Sequence, residues 1–194
     1  MMNNYASIFH FFILGTRDNV LNMNRWGTLM EDLEWRFVDI KTHEGLKMWL
    51  EFIVELSDGN FSQDAFTSLI FYCESGPLID KWELDYGFSS PNVPLEVFEQ
   101  ELKLITVPIS IPVTVSHYSI LEKLSKDAYA GKLTPEKMIS VFFSSSAREA
   151  FQRFMMSNEA LHAANPELER EDLRLDISAV FPYYQMWEKI GLFQ

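Results

Sequence analysis

The stretch from Phe66 to Tyr86 constrains the fold more than any other part of the chain. Thr67–Cys73 is an apolar, aromatic and β-branched run of strand length. Glu74–Pro77 then supplies a Gly-Pro turn, and Leu78–Tyr86 alternates loosely between apolar and charged residues. Two such runs around a turn predict a β-hairpin. We expect its first strand to be buried on both faces and the hairpin to lie at the centre of a sheet.

Length and composition favour one soluble domain. The chain has 194 residues, of which 47% are hydrophobic and 14% aromatic, enough for a sizeable core. We therefore predict a single domain over residues 1–194. Cys73 is the only cysteine, which excludes an internal disulfide and favours a cytoplasmic or nuclear location.

The net charge indicates which classes of partner the protein can bind. Sixteen basic and 28 acidic residues give a formal net charge of −12. Nucleic-acid binders gain much of their affinity by neutralising phosphates, so no nucleic-acid partner is expected. The charge suits a plain acidic protein or one with a basic protein partner. The apolar run Ile8–Leu14 is too short to span a bilayer and lacks a basic flank, so we expect neither a signal peptide nor a membrane span.

Hydrophobic periodicity predicts the elements of the first part of the chain. Tyr5–Met23 has an apolar stripe at helical spacing, and Glu34–Lys41 alternates as a strand does. Thr42 is a candidate cap for the helix that follows. That helix, Glu44–Leu56, is the clearest in the chain. Its predicted buried stripe consists of Leu46, Trp49, Leu50 and Ile53, and Phe52 and Leu56 are expected to widen it.

The second part of the chain is predicted to be mostly helical. The exception is Ile105–Val115, which we expect to be an edge strand because Pro108 and Pro112 cannot donate to a ladder. Thr134 followed by Pro135 is a typical helix start. The other predicted elements are short helices at Leu95–Leu104 and Ser119–Tyr129, a helical region continuing to about His162, and apolar segments at Leu173–Val180 and Tyr183–Phe193 that pack on the core.

No residue set predicts catalysis, a cofactor or a metal. The histidines, at 10, 43, 117 and 162, lack the spacing of metal ligands. Cys73 lies in a predicted buried strand, where packing is the expected role. Ser144–Ser146 lacks the glycines of a nucleophile elbow. Asp80, Glu83 and Asp85 are close in sequence but fit a solvated strand face better than acid–base chemistry. We therefore expect a protein that is not an enzyme.

Three stretches together resemble the HORMA domain family, and particularly its spindle-checkpoint branch. Phe9–Trp26, FHFFILGTRDNVLNMNRW, is similar to the family's first helix. Trp35–Leu56 resembles the strand and helix that follow, including the KTH junction, and Glu74–Tyr86 resembles the central hairpin. Phe98–Val113 is similar, more loosely, to the third helix and the segment after it. The resemblance covers roughly residues 5–115.

The resemblance implies an adaptor that binds proteins. Several HORMA proteins capture a partner peptide as an added strand and close a C-terminal belt over it, and many dimerise through the face that carries the third helix. Here Thr134–His162 predicts helix where the family has an extended belt. By this resemblance, the partner-binding residues would be Phe98, Glu101, Lys103, Ile105, Val107 and Ile109.

The prediction is thus an α+β fold: a HORMA-like, mostly antiparallel central sheet with helices on one face, and a divergent helical part over residues 116–194. The expected function is a non-enzymatic adaptor in a checkpoint, DNA-repair or autophagy-initiation assembly, binding a protein, a short peptide or another HORMA protein. One alternative is an acidic bacterial immunity or inhibitor protein that neutralises a basic partner. Another is a small enzyme using Cys73 or the Asp80/Glu83/Asp85 group.

Overall fold

Two antiparallel strands and the helices around them form an α+β fold. A computed structural model describes residues 34–57, 62–76, 79, 93–169 and 171–181. The described elements, in chain order, are β1 (Trp35–Thr42), α1 (Glu44–Leu56), α2 (Gln63–Ile70) with a π-helical turn (Phe71–Ser75), α3 (Leu95–Leu102), β2 (Val107–Thr114), α4 (Val115–Asp127), α5 (Pro135–Ala164) and α6 (Ile177–Val180).

The strand alternation predicted from Glu34 to Lys41 is confirmed by β1. It pairs antiparallel with β2, with Val38 opposite Ile111 and Ile40 opposite Ile109. These four side chains are buried, because alternate residues of a strand point to the same face. The predicted extended segment Ile105–Val115 is confirmed in β2.

Helix α1 has the predicted bounds, and its predicted buried face is confirmed except at Phe52, which is 38% exposed. Leu46, Trp49, Leu50 and Ile53 all point into the core, and Glu44 lies in the first turn. The Trp49 ring is surrounded by Phe66, Phe151 and Phe154, at centroid distances of 5.7, 5.6 and 6.2 Å. The predicted cap was wrong. His43 is the N-cap residue, whereas Thr42 ends β1 and its hydroxyl accepts a hydrogen bond from Ser144.

The predicted first strand of the hairpin, Thr67–Cys73, was wrong, because this segment is helical. It belongs to α2 and the π-helical turn, and so does the start of the predicted Glu74–Pro77 turn. Every α2 residue from Phe66 to Ile70 is buried. A helix buried on all sides produces the same continuous apolar run as a buried strand, so periodicity could not separate the two. The second strand, Leu78–Tyr86, lies outside the described residues apart from Ile79, which is buried and helical.

Helix α5 starts at the predicted position and spans the core. The Thr134 hydroxyl accepts from the backbone N–H of Lys137, and Pro135 is the first helical residue. Three of its serines make buried or partly buried hydrogen bonds to other elements: Ser140 accepts from the Lys41 N–H, Ser144 donates to Thr42, and Ser146 accepts from Ser75. These bonds fasten α5 to β1 and to the π-helical turn.

The remaining predictions are confirmed where they can be compared. The predicted Leu95–Leu104 and Ser119–Tyr129 helices appear as α3 and α4 with shifted ends. Val180 and Phe181 are buried, as expected for a segment that packs back on the core. Tyr5–Met23, the Asp80/Glu83/Asp85 group and Tyr183–Phe193 lie outside the described residues.

Candidate functional site: a groove beside the third helix

A groove of 590 Å³ lies where β1, α3, β2 and α5 meet. Its walls combine apolar side chains with three acidic and three basic groups. The lining residues are Asp39, Ile40, Lys41, Glu99, Leu102, Lys103, Pro108, Glu136, Lys137 and Ser140. Six of the ten lining residues are charged, so the groove suits a ligand that carries charged as well as apolar groups.

The wall between β1 and α5 is held by hydrogen bonds of the backbone. The Lys41 N–H points away from β2 and donates to Ser140 Oγ at 3.1 Å. Ser140 in turn donates to the Glu136 carbonyl oxygen at 2.7 Å, which fixes its hydroxyl. Because both groups are anchored in regular elements, this wall of the groove is held in place.

Most charged groups around the groove are unpaired within the described part of the chain. Lys41, Lys103 and Lys137 are exposed and form no ion pair with a described residue, and the same holds for Asp39 and Glu99. These five groups are therefore available to a ligand that approaches the groove.

Glu136 is the exception, because Tyr118 donates a hydrogen bond to its carboxylate. Burial alone would raise the pKa of Glu136, but the hydrogen bonds it accepts and the Arg36 charge outweigh burial and lower this pKa. Burial, with the Glu136 hydrogen bond, raises the pKa of Tyr118 to about 12. The Arg36 guanidinium lies 3.8 Å from the centre of the Tyr118 ring, a cation–π contact.

The residues predicted to bind a partner divide into buried and exposed sets. Phe98, Ile105 and Ile109 are at most 6% exposed, so they pack the protein's own core. Glu101 is half-exposed and pairs with Arg148 at 3.6 Å. Lys103 is exposed and lines the groove, and Val107 is half-buried at the start of β2. The structure thus brings Lys103 to the groove and leaves the three buried residues away from any surface.

Sequence reasoning missed the other groove residues, above all Lys41 and Lys137. The helix start at Thr134 placed Lys137 in a first turn, but no local pattern shows that this turn packs on β1. Lys41 alternates outward on its strand, which predicts exposure and nothing about a neighbour. Only tertiary packing brings these lysines beside Lys103.

The outer edge of β2 lacks half of the donors that strand addition would use. The bond from the Val115 N–H to the Glu34 carbonyl fixes which pairs of the ladder are hydrogen-bonded. By that alternation, the backbone nitrogens of positions 108, 110, 112 and 114 face away from β1. Two of these four residues are prolines, Pro108 and Pro112, which have no N–H. A peptide adding to this edge would find two of four donors, on Ser110 and Thr114.

A buried ion pair lies elsewhere in the core, outside the groove. Arg153 on α5 is 2.9 Å from the Glu74 carboxylate of the π-helical turn and donates to the Val180 carbonyl oxygen at 2.6 Å. Burial raises the pKa of Glu74, against the opposing effect of Arg153. The pair connects three segments of the fold.

Neither a metal site nor a membrane span is found among the described residues. No group of their His, Cys, Asp and Glu side chains is arranged to hold a metal ion. None of the helices in this part of the chain combines the length and apolarity needed to cross a bilayer. Comparison with known proteins returns no matching family model, no matching curated protein and no matching solved structure.

Proposed function

We propose that this chain is a non-enzymatic adaptor that binds a partner protein in the groove beside α3. The observation that carries the proposal is the groove itself, where Lys41, Lys103 and Lys137 stand unpaired by any described residue beside apolar lining residues. A peptide segment with apolar and charged side chains matches that lining. Fixed walls limit the entropy that binding loses.

The HORMA resemblance supports the adaptor class and the choice of face. In that family the face carrying the third helix mediates dimerisation, and α3 corresponds to that helix in the resemblance. HORMA membership, with a partner in a checkpoint, DNA-repair or autophagy-initiation assembly, is part of the proposal. Strand addition on β2 is not part of it, because Pro108 and Pro112 remove two of the four donors on the outer edge.

Site-specific photo-cross-linking tests this proposal. A benzophenone amino acid would replace Lys103 or Lys137 in separate variants expressed in the source cells, with Lys132 as the control position. Lys132 is exposed on the loop after α4 and does not line the groove. We expect one partner protein to cross-link from both groove positions and not from the control.

The partner would then be purified and its affinity measured by calorimetry. We expect the Lys103→Glu/Lys137→Glu variant to bind it about tenfold more weakly, a loss of about 1.4 kcal/mol. Lys132→Glu should bind as the wild-type protein does. Cross-links of equal yield at all three positions, or an affinity that the groove variant leaves unchanged, would count against the groove.

A second candidate is an immunity or inhibitor protein for a basic partner, which the net charge of −12 favours. Electrostatic steering by such a charge gives fast association that slows steeply with ionic strength. Association of the purified partner at two salt concentrations separates the candidates. A basic toxin whose activity is abolished on binding supports this candidate, whereas a partner of balanced charge and salt-insensitive binding excludes it.

A further inference from the structure

Helices α1 and α5 lie side by side and leave an apolar surface uncovered. Arg148 contacts His43 at 3.0 Å, the Trp49 and Phe151 rings are 5.6 Å apart, and the Phe52 and Phe154 rings are 6.4 Å apart. Positions therefore advance along both helices in the same direction. The aromatic contacts form an apolar floor where the two helices meet.

Three large apolar side chains stand beside this floor and are exposed. Met48 and Phe52 are one turn apart on α1, with exposed fractions of 64% and 38%. Met155 follows Phe154 on α5 and is 38% exposed. Methionine is flexible and polarizable, so it adapts to many apolar partners.

A row of acidic side chains runs along the α1 side of this surface. Glu44, Glu51 and Glu55 are all exposed, and none forms an ion pair with a described residue. Their spacings of seven and four residues place them in one line along the helix, about 16 Å long at 1.5 Å per residue. That length matches three turns of a partner helix.

We propose that Met48, Phe52 and Met155, with the Glu44/Glu51/Glu55 row, form a docking site for a basic amphipathic helix of a partner protein. The apolar face of that helix lies on the three exposed side chains, and its Lys or Arg residues face the glutamates. The net charge of −12 also attracts a basic helix, which adds to the attraction by the glutamates. This surface is separate from the groove beside α3, and the proposal does not depend on the groove.

Peptide binding by the full chain tests it. The probe is a fluorescein-labelled Leu/Lys peptide of about four helical turns, and its control is a scrambled peptide of the same composition and charge. We expect fluorescence anisotropy to show at least about tenfold tighter binding of the amphipathic peptide. Scrambling leaves the charge of the peptide intact. The ratio of the two affinities therefore cancels the general attraction of a basic peptide to an acidic protein.

Matched variants locate the site. Met48→Gln/Met155→Gln should abolish the preference, and Glu51→Lys/Glu55→Lys should weaken binding and flatten its salt dependence. Met156→Gln is the control, since Met156 is 66% exposed on α5 but about 100° further round the helix. Lys103→Glu should leave peptide binding unchanged, which separates this site from the groove. Circular dichroism checks that each variant is folded.

Several outcomes would overturn the proposal. The first is equal binding of the amphipathic and scrambled peptides. The second is a preference for the amphipathic peptide that survives Met48→Gln/Met155→Gln. The third is a loss of that preference in Met156→Gln as large as in Met48→Gln/Met155→Gln. Light scattering that shows a dimer abolished by Met48→Gln/Met155→Gln would assign the surface to a second copy of this chain. Binding of phosphatidylcholine vesicles that the same variant abolishes would assign it to a membrane.

Discussion

Arg153 Nη2 lies 2.9 Å from Glu74 Oε1, and this contact joins the middle of α5 to the π-helical turn. The side chains are 24% and 10% exposed, so solvent screens the pair only in part. Because Arg153 also donates to Val180, it ties the last described segment to the core. The pair is thus a central connection of the fold.

Removing Arg153 should cost far more stability than removing its exposed partner. We expect Arg153→Met to lower the free energy of unfolding by about 3 kcal/mol, because it leaves the Glu74 carboxylate buried without a counter-charge. Glu149→Gln removes only the exposed contact at 3.8 Å and should cost less than about 0.5 kcal/mol. Urea unfolding followed by circular dichroism measures both. Equal costs would show that the Glu74 contact is not special.

The stability of the Arg153→Met variant should change with pH in a defined direction. The pKa of Glu74 is raised in the folded protein, chiefly by burial, so folding favours its protonated form. The stability that this shift contributes is present at low pH and is lost as the pH rises above the ordinary value of 4.5. Without Arg153 the pKa of Glu74 should be raised further. As the pH falls from 7 to 5, Arg153→Met should therefore regain part of the free energy of unfolding that it loses at pH 7. Arg153→Met/Glu74→Gln, which has no carboxyl group to protonate, should not.

Two tyrosines should titrate late. Burial raises the pKa of Tyr118 and Tyr129 to about 12, and the hydrogen bond to Glu136 adds to the effect for Tyr118. Raised phenol pKa values mean that stability falls as the pH rises from 10 towards 12. Ultraviolet titration of phenolate should show two late groups, and Tyr118→Phe should remove one. Titration of all seven tyrosines near pH 10 in a folded sample would contradict this.

Two glycines offer a matched test of packing. A Cβ at Gly76 would lie 2.9 Å from His117 Cε1, whereas a Cβ at Gly45 meets nothing within 4 Å. Gly45 lies in α1, so Gly45→Ala should stabilise by about 0.5–1 kcal/mol. Gly76→Ala should destabilise by about 1–2 kcal/mol through overpacking. In a His117→Ala background the penalty of Gly76→Ala should disappear. Thermal unfolding of the wild-type protein, the two single variants and the double variant Gly76→Ala/His117→Ala measures this.

How much the sequence could predict depended on the burial of each segment. The half-buried elements β1 and α1 were predicted almost residue by residue, because one polar face makes their periodicity visible. The fully buried α2 was read as a strand, although Ser62 and Asp64 are helix-start signals, and the Ser62 side chain does cap α2 at the Ala65 N–H. A search for caps before periodicity would have found this helix.

The groove could be predicted only in part. Lys103 was selected because the resemblance places it on the family's partner-binding third helix, but Lys137 is 34 positions further on and reaches the groove through the packing of α5 on β1. Phe98 was selected for the same reason, yet its ring packs on Tyr129 and Phe142 at 5.8 and 6.2 Å. Only the folded structure shows that other elements of the chain cover Phe98.

The prolines of β2 should protect this protein from pairing with other strands. Pro108 is exposed, and its missing N–H faces away from β1. Pro108→Thr restores a donor to an edge that no described strand pairs with, and open edges template association. We expect more dimer and higher oligomer in size-exclusion chromatography with light scattering, growing with protein concentration. Ser110→Thr faces the same edge and changes no donor, so it should behave as the wild-type protein does. If Pro108→Thr stays as monodisperse as Ser110→Thr, proline is not what keeps this edge unpaired.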